Sequence, residues 1–180
     1  MDGGRLTLAQ ATITTSGNTS SNNNSSFYDL NATVLAKAGN SIALSDSAIN
    51  TMGTGANGAF AAGSGALVTL TMMTITADGG YGVMATGGTL TKPGQDSPSP
   101  HSTSMLTASG ATCVATGSEM AAFEGANAIN LTNAILSSSK DNKWGIMIAQ
   151  SMSGDAEGTQ GVFTMSSSAL AYTSANGPLF

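Results

Sequence analysis

The spacing of apolar residues in Leu6-Thr7-Leu8-Ala9-Gln10-Ala11-Thr12-Ile13 returns along almost the whole chain, and no other feature limits the fold so strongly. From the first apolar position a second follows at +2 and a third at +7: Leu6, Leu8, Ile13, then Ile42, Leu44, Ile49, then Val68, Leu70, Ile75. The frame continues with Leu106, Ala108, Cys113, then Ile129, Leu131, Leu136, then Phe163, Met165, Leu170. Alternation such as Leu6-Thr7-Leu8 is strand-like, because successive side chains on a strand point to opposite faces. A second short strand carries the +7 residue, as in Ala11-Thr12-Ile13-Thr14.

A third apolar patch precedes the next frame: Val34-Leu35-Ala36, Ala59-Phe60-Ala61, Val83-Met84-Ala85, Ala121-Ala122-Phe123, Ile146-Met147-Ile148 and Leu179-Phe180. Frames start at residues 6, 42, 68, 106, 129 and 163, so the steps are 36, 26, 38, 23 and 34. That period belongs to a solenoid with loops of varying length. The expected fold is all-β: a right-handed parallel β-helix with three short strands per coil and about six to seven coils, each burying its apolar face only against its neighbours. The expected organisation is one domain over residues 1–180, with polar insertions at about 16–28 and 92–104. At the second insertion Leu90 opens another frame, but Lys92 and Ser97 take its +2 and +7 places and the coil gives way to a Pro-rich loop. Neither end carries the polar cap that solenoids use to stay soluble, so the chain is expected to be an excerpt of a longer β-helix or to self-associate end to end through uncapped coils.

With this coil pattern, the Thr12-Ile13-Thr14-Thr15-Ser16-Gly17 and Val83-Met84-Ala85-Thr86-Gly87-Gly88 phrases and the Gly-punctuated turns, the sequence resembles right-handed parallel β-helix proteins of the pectate-lyase-like and pertactin-like kind. The resemblance is architectural and covers nearly the whole chain. It implies a group that contains polysaccharide lyases and hydrolases, adhesin passenger domains and bacterial surface proteins, among which fold does not choose.

Charge narrows the choice. Only 8 % of residues are charged, and 5 Lys and Arg against 10 Asp and Glu give a net charge of −5. Surface polarity therefore rests on hydroxyls and amides. No basic stripe exists to neutralise phosphates, which excludes nucleic acid as an expected partner. No apolar run approaches the roughly 18 residues of a membrane-spanning helix, so membrane insertion is not expected either. Low charge and Ser/Thr/Asn richness point to an extracellular or cell-surface location. The single cysteine, Cys113, falls on an inward position and reads as a core thiol.

The leading functional expectation is a secreted or cell-surface scaffold of adhesin type, with a glycan or polysaccharide as partner. The alternative is a carbohydrate-active or other hydrolytic enzyme, a hydrolase or lyase, with its site on the outer groove of the C-terminal coils. Its candidate catalytic residues are Glu124, Lys143, Asp155 and Glu157, since glycoside chemistry needs paired carboxylates or a base positioned beside the sugar. Trp144, the only tryptophan, and Tyr172 are candidate substrate-binding residues that would stack on a sugar ring. Charged loop residues in so charge-poor a chain also serve solubility and local pairing. The sole histidine, His101, has no Gly-x-Ser-x-Gly motif to join, which disfavours a serine triad.

No cofactor is expected; calcium is a candidate at Gly154-Asp155, although no repeated Gly-Gly-x-Gly-x-Asp pattern occurs. A third, weaker reading is ice binding. The outward middle residues of the first strand are Thr7, Thr69, Thr91, Thr107 and Thr164, with Ala43 and Asn130 as exceptions. A water-ordering face needs a second regular column about 6.7 Å away along the strand. The second strand offers Thr12 with Thr14 and Thr74 with Thr76, but elsewhere Ala, Val and Asn interrupt it.

Overall fold

The computed structural model describes residues 3–20, 31–86, 105–149 and 159–180. The expected Leu90 frame, His101, Asp155 and Glu157 lie outside the described residues. Seventeen strands, and no helix, occur among those described, and every strand pairing is parallel.

Strands three apart in the chain lie side by side, so three sheets form. The first holds β1 (Arg5–Ala9), β4 (Ser41–Ser45), β7 (Leu67–Thr71), β10 (Met105–Ser109), β13 (Ala128–Thr132) and β16 (Val162–Ser166), in that order. The second holds β2 (Thr12–Thr15), β5 (Ala48–Thr51), β8 (Thr74–Ala77), β11 (Thr112–Ala115), β14 (Ile135–Ser138) and β17 (Ala169–Tyr172). The third holds β3 (Ala32–Lys37), β6 (Asn57–Ala62), β9 (Val83–Thr86), β12 (Ala121–Glu124) and β15 (Ile146–Ala149). This arrangement is compatible with a parallel β-helix.

The register places like on like. Leu6 pairs with Ile42, Ile42 with Val68, and Ile129 with Phe163. The +7 residues align in the same way, Ile13 with Ile49, Ile49 with Ile75, Ile75 with Cys113 and Cys113 with Leu136. Leu44, Ile49, Val68, Leu70, Ile75, Ile129, Leu131 and Leu136 are all nearly or fully excluded from solvent and share one core cluster. Each such side chain contributes about 1.5–3 kcal/mol of burial energy. Their counterparts in the outermost strands, Leu8, Ile13, Phe163 and Leu170, are half-buried.

The link from the first sheet to the second is always two residues long. Its first residue is left-handed every time: Gln10, Asp46, Met72, Gly110, Asn133 and Ser167 have φ between 47° and 62°. A residue other than glycine gives up about 1–2 kcal/mol there. The ladder continues through the bend, however: Asp46 N donates to Thr71 O at 3.0 Å, Met72 N to Ser109 O at 2.8 Å and Asn133 N to Ser166 O at 2.9 Å. At the following position Ser47 Oγ accepts from Ala11 N at 2.9 Å, and Ser168 Oγ from Ala134 N at 3.0 Å.

The third sheet departs from the simple pattern by being apolar on both faces. In β6, Ala59 and Ala61 join the main core, while Phe60 and Ala62 point the other way into a second cluster with Tyr81 and Ala122. Phe60 is fully buried there. Leu179-Phe180, expected as a further third strand, is not a strand. Pro178 has no N–H to contribute, although its carbonyl and that of Leu179 accept from Gly145 and Ile146 at 3.1 and 2.8 Å.

The columns predict a sharp asymmetry within one strand. Ile75→Ala should lower the unfolding free energy by about 2–5 kcal/mol, whereas Thr76→Ala, outward on the same strand, should change it by no more than about 0.5 kcal/mol in urea denaturation. Burial pushes the Cys113 thiol up to about 12 from its ordinary 9.0. Alkylation at pH 8 should therefore run roughly a thousandfold slower than for an exposed thiol and reach ordinary rates in denaturant. The unfolded chain ionises this thiol first, so its contribution leaves stability unchanged below pH 9 and lowers it as pH rises from about 9 to about 12.

Candidate functional site

The bends between the second and third sheets run over residues 52–56, 78–82, 116–120 and 139–145 in successive triplets of strands. They are glycine-rich because adjacent backbones nearly touch. A Cβ on Gly80 would lie 2.4 Å from Ala56 O, and one on Gly117 would lie 2.5 Å from Asp78 O. With side chains missing from this strip, the surface is indented. A cavity of about 180 Å³ results, walled by Thr54, Asn57, Tyr81, Ser118 and Lys143. It crosses four successive bends.

Two of its walls are fixed by backbone pairing. Asn57 Oδ1 accepts from Tyr81 N at 3.1 Å, and Gly58 N donates to Tyr81 O at 2.9 Å. Ser138 Oγ donates to Ser118 O at 3.2 Å, tying the bend to β14. Beside the cavity lies Glu119, which is 2 % exposed. Ser118 Oγ donates to its Oε2, and its Oε1 stands 3.8 Å from Lys143 Nζ. The Lys143 side chain is 42 % exposed, so the pair has one buried and one open member.

Among the expected site residues, the structure brings Lys143 to the cavity. Trp144 follows it in the chain and is 46 % exposed. Tyr172 reaches the same bend from below, but its hydroxyl donates to Lys143 O and its ring packs against the main core. Glu124 ends β12, and its side chain is not described; Asp155 and Glu157 are outside the described residues. Ser118, Thr54, Asn57 and Tyr81 were not among the candidate site residues, and Glu119 belonged to the C-terminal grouping of charges but not to the candidate catalytic set. A usable signal was present in the residues just before each third strand, as in Asp78-Gly79-Gly80-Tyr81-Gly82 and Gly117-Ser118-Glu119.

Other depressions lie elsewhere. One of about 520 Å³ follows the left-handed bends around Gln10, Asp46 and Met72, and one of about 220 Å³ lies on the second sheet around Val114 and Ser137. Among the described residues no group of three His, Cys, Asp or Glu side chains is placed to hold a metal ion.

Loss of Lys143 leaves a buried carboxylate held by Ser118, whereas neutralising Glu119 leaves a lysine that water can solvate. Lys143→Met should therefore destabilise the chain by about 1–3 kcal/mol, more than Glu119→Gln, and the double variant should return toward the Glu119→Gln value in a urea-denaturation cycle. Comparison with protein-family models, with curated proteins and with solved structures finds no match for this chain.

Proposed function

We propose that the three sheets are the walls of a right-handed parallel β-helix of the pectate-lyase-like or pertactin-like kind, and that the chain is a secreted or cell-surface scaffold of adhesin type that binds glycan. Handedness follows from the general rule that parallel crossovers are right-handed in about 98 % of cases. The observation that carries the functional reading is the outer surface of the first two sheets. Apart from Arg5 and Met105, the residues at their outward positions are of hydroxyl, amide and hydrocarbon type, held in register over six strands. Such a surface is rigid, weakly charged and rich in groups that both donate and accept hydrogen bonds, which suits contact with carbohydrate.

Ionisable groups near the cavity support the same reading over a hydrolytic one. Glu119 is committed to Ser118 and Lys143, and Tyr172 to the Lys143 carbonyl. A glycan array together with adhesion to carbohydrate-coated surfaces should give binding, and a panel of polysaccharides and esters should give no turnover. Robust turnover without binding in either assay would overturn the scaffold reading in favour of the hydrolase or lyase.

One observation favours ice binding more than the sequence alone did. The column that partners the threonines lies in the same strands, two residues on: Ala9, Ser45, Thr71, Ser109, Thr132 and Ser166. It stands about 6.7 Å from the first column, with neighbouring strands about 4.8 Å apart. Thermal hysteresis that is lost in Thr71→Tyr would establish this second reading; ordinary freezing behaviour removes it.

A further inference from the structure

We infer that the cavity across the bends between the second and third sheets is a subsite for a single uncharged sugar ring, with Lys143 as its principal hydrogen-bond donor. The inference rests on the glycan-binding reading above and names the ligand class and the residues.

Size limits the ligand first. At about 180 Å³ the cavity is smaller than the roughly 300–1,000 Å³ of pockets for drug-sized molecules, and one ring fills it. Charge limits it next. Lys143 is the charged side chain of the cavity wall, and its ammonium is already opposed by Glu119. An anion entering the cavity finds no uncompensated positive charge, approaches the buried carboxylate, and meets a chain of net charge −5. A cation is repelled by the ammonium that stands in front of that carboxylate. An uncharged polyol pays neither cost.

Hydrogen-bonding capacity fits the same ligand. At 3.8 Å the Lys143–Glu119 approach is about 1 Å longer than a close charge-assisted bond. Lysine carries three N–H donors, and the exposed ammonium can direct them to sugar hydroxyls. Thr54 adds an exposed hydroxyl, and Ser118 and Tyr81 complete the wall. The glycines keep the floor low enough for a ring to lie flat against backbone. Trp144, half-open beside Lys143, offers a surface for the next sugar along a chain and an optical reporter for the first.

Titrations of glucose, galactose, mannose and N-acetylglucosamine into the full chain, followed by Trp144 fluorescence and calorimetry, test the inference. At least one should bind with a dissociation constant of about 1–10 mM, the strength expected for a dozen heavy atoms at about 0.3 kcal/mol each. Glucuronate should bind more weakly. Lys143→Ala should weaken the neutral sugar about tenfold or more, with Lys143→Arg restoring most of it, and Thr54→Val should weaken it a few-fold. Glu119→Gln, which frees the ammonium, should raise glucuronate affinity relative to the neutral sugar. Thr54→Val, on an exposed side chain, keeps the test valid should Lys143→Ala fail to fold. No saturable binding of any of the four sugars overturns the inference, as does neutral-sugar binding unchanged by Lys143→Ala and Thr54→Val. Positive glycan-array or adhesion signals alongside either result leave the scaffold reading intact and put its contact surface elsewhere.

Discussion

Backbone hydrogen bonds between strands three apart in the chain are the constraint on which everything else in this molecule depends. Because they run in register, each inward side chain must lie on its counterpart in the next strand, and a column tolerates a different residue only if its neighbours do. Ile49, Ile75, Cys113 and Leu136 make one such column, and the replacement of isoleucine by cysteine within it leaves the thiol 1 % exposed. The same pairing makes the link between the first two sheets uniform. Two residues turn the corner in every triplet, and in the first five the left-handed residue keeps its N–H in the ladder. The roughly 1 kcal/mol that a net hydrogen bond contributes offsets much of the cost of placing Gln10 or Met72 in that conformation.

These dependences explain which features of the fold are legible in the sequence. Inward columns were legible because a strand alternates with period two and the two-residue link is invariant, so the +2 and +7 spacing survives every insertion elsewhere. All six frames and their mutual alignment follow from it. The left-handed bends were not legible, since Gln, Met and Ser at those positions carry no signature of positive φ; only Gly110, Asn133 and Asp46 do. The two-faced third sheet was also obscure. Continuous apolar runs such as Ala59-Phe60-Ala61 lack the alternation that tells one face from the other.

Of the residues that line the candidate cavity, the sequence pointed only to Lys143, in a chain where charged residues are few. Its other walls come from what is missing. Gly80 and Gly117 create the indentation by letting adjacent bends approach, and glycine has no side chain whose chemistry would mark the place. Glu119 lay within the C-terminal charges of the sequence, yet burial beside Ser118 and Lys143 is a property of stacked bends rather than of local sequence. Electrical neutrality of this pair, in a chain with few charges of either sign, gives the groove its chemical character.

The lock between Asn57, Gly58 and Tyr81 has a bearing on how long such a surface lasts. An Asn-Gly step in a loose chain ages: the glycine nitrogen attacks the side-chain carbonyl, a cyclic imide forms, and the amide is lost as ammonia. Here the glycine N–H is engaged with the Tyr81 carbonyl, the asparagine oxygen with the Tyr81 N–H, and Asn57 itself is 1 % exposed. Nucleophile and target are each held by Tyr81 of the neighbouring bend and cannot rotate toward one another. The pairing thereby protects this Asn-Gly step from spontaneous chemistry, whereas the asparagine of the chain's other such step, Asn176-Gly177, is exposed and is the one expected to age first.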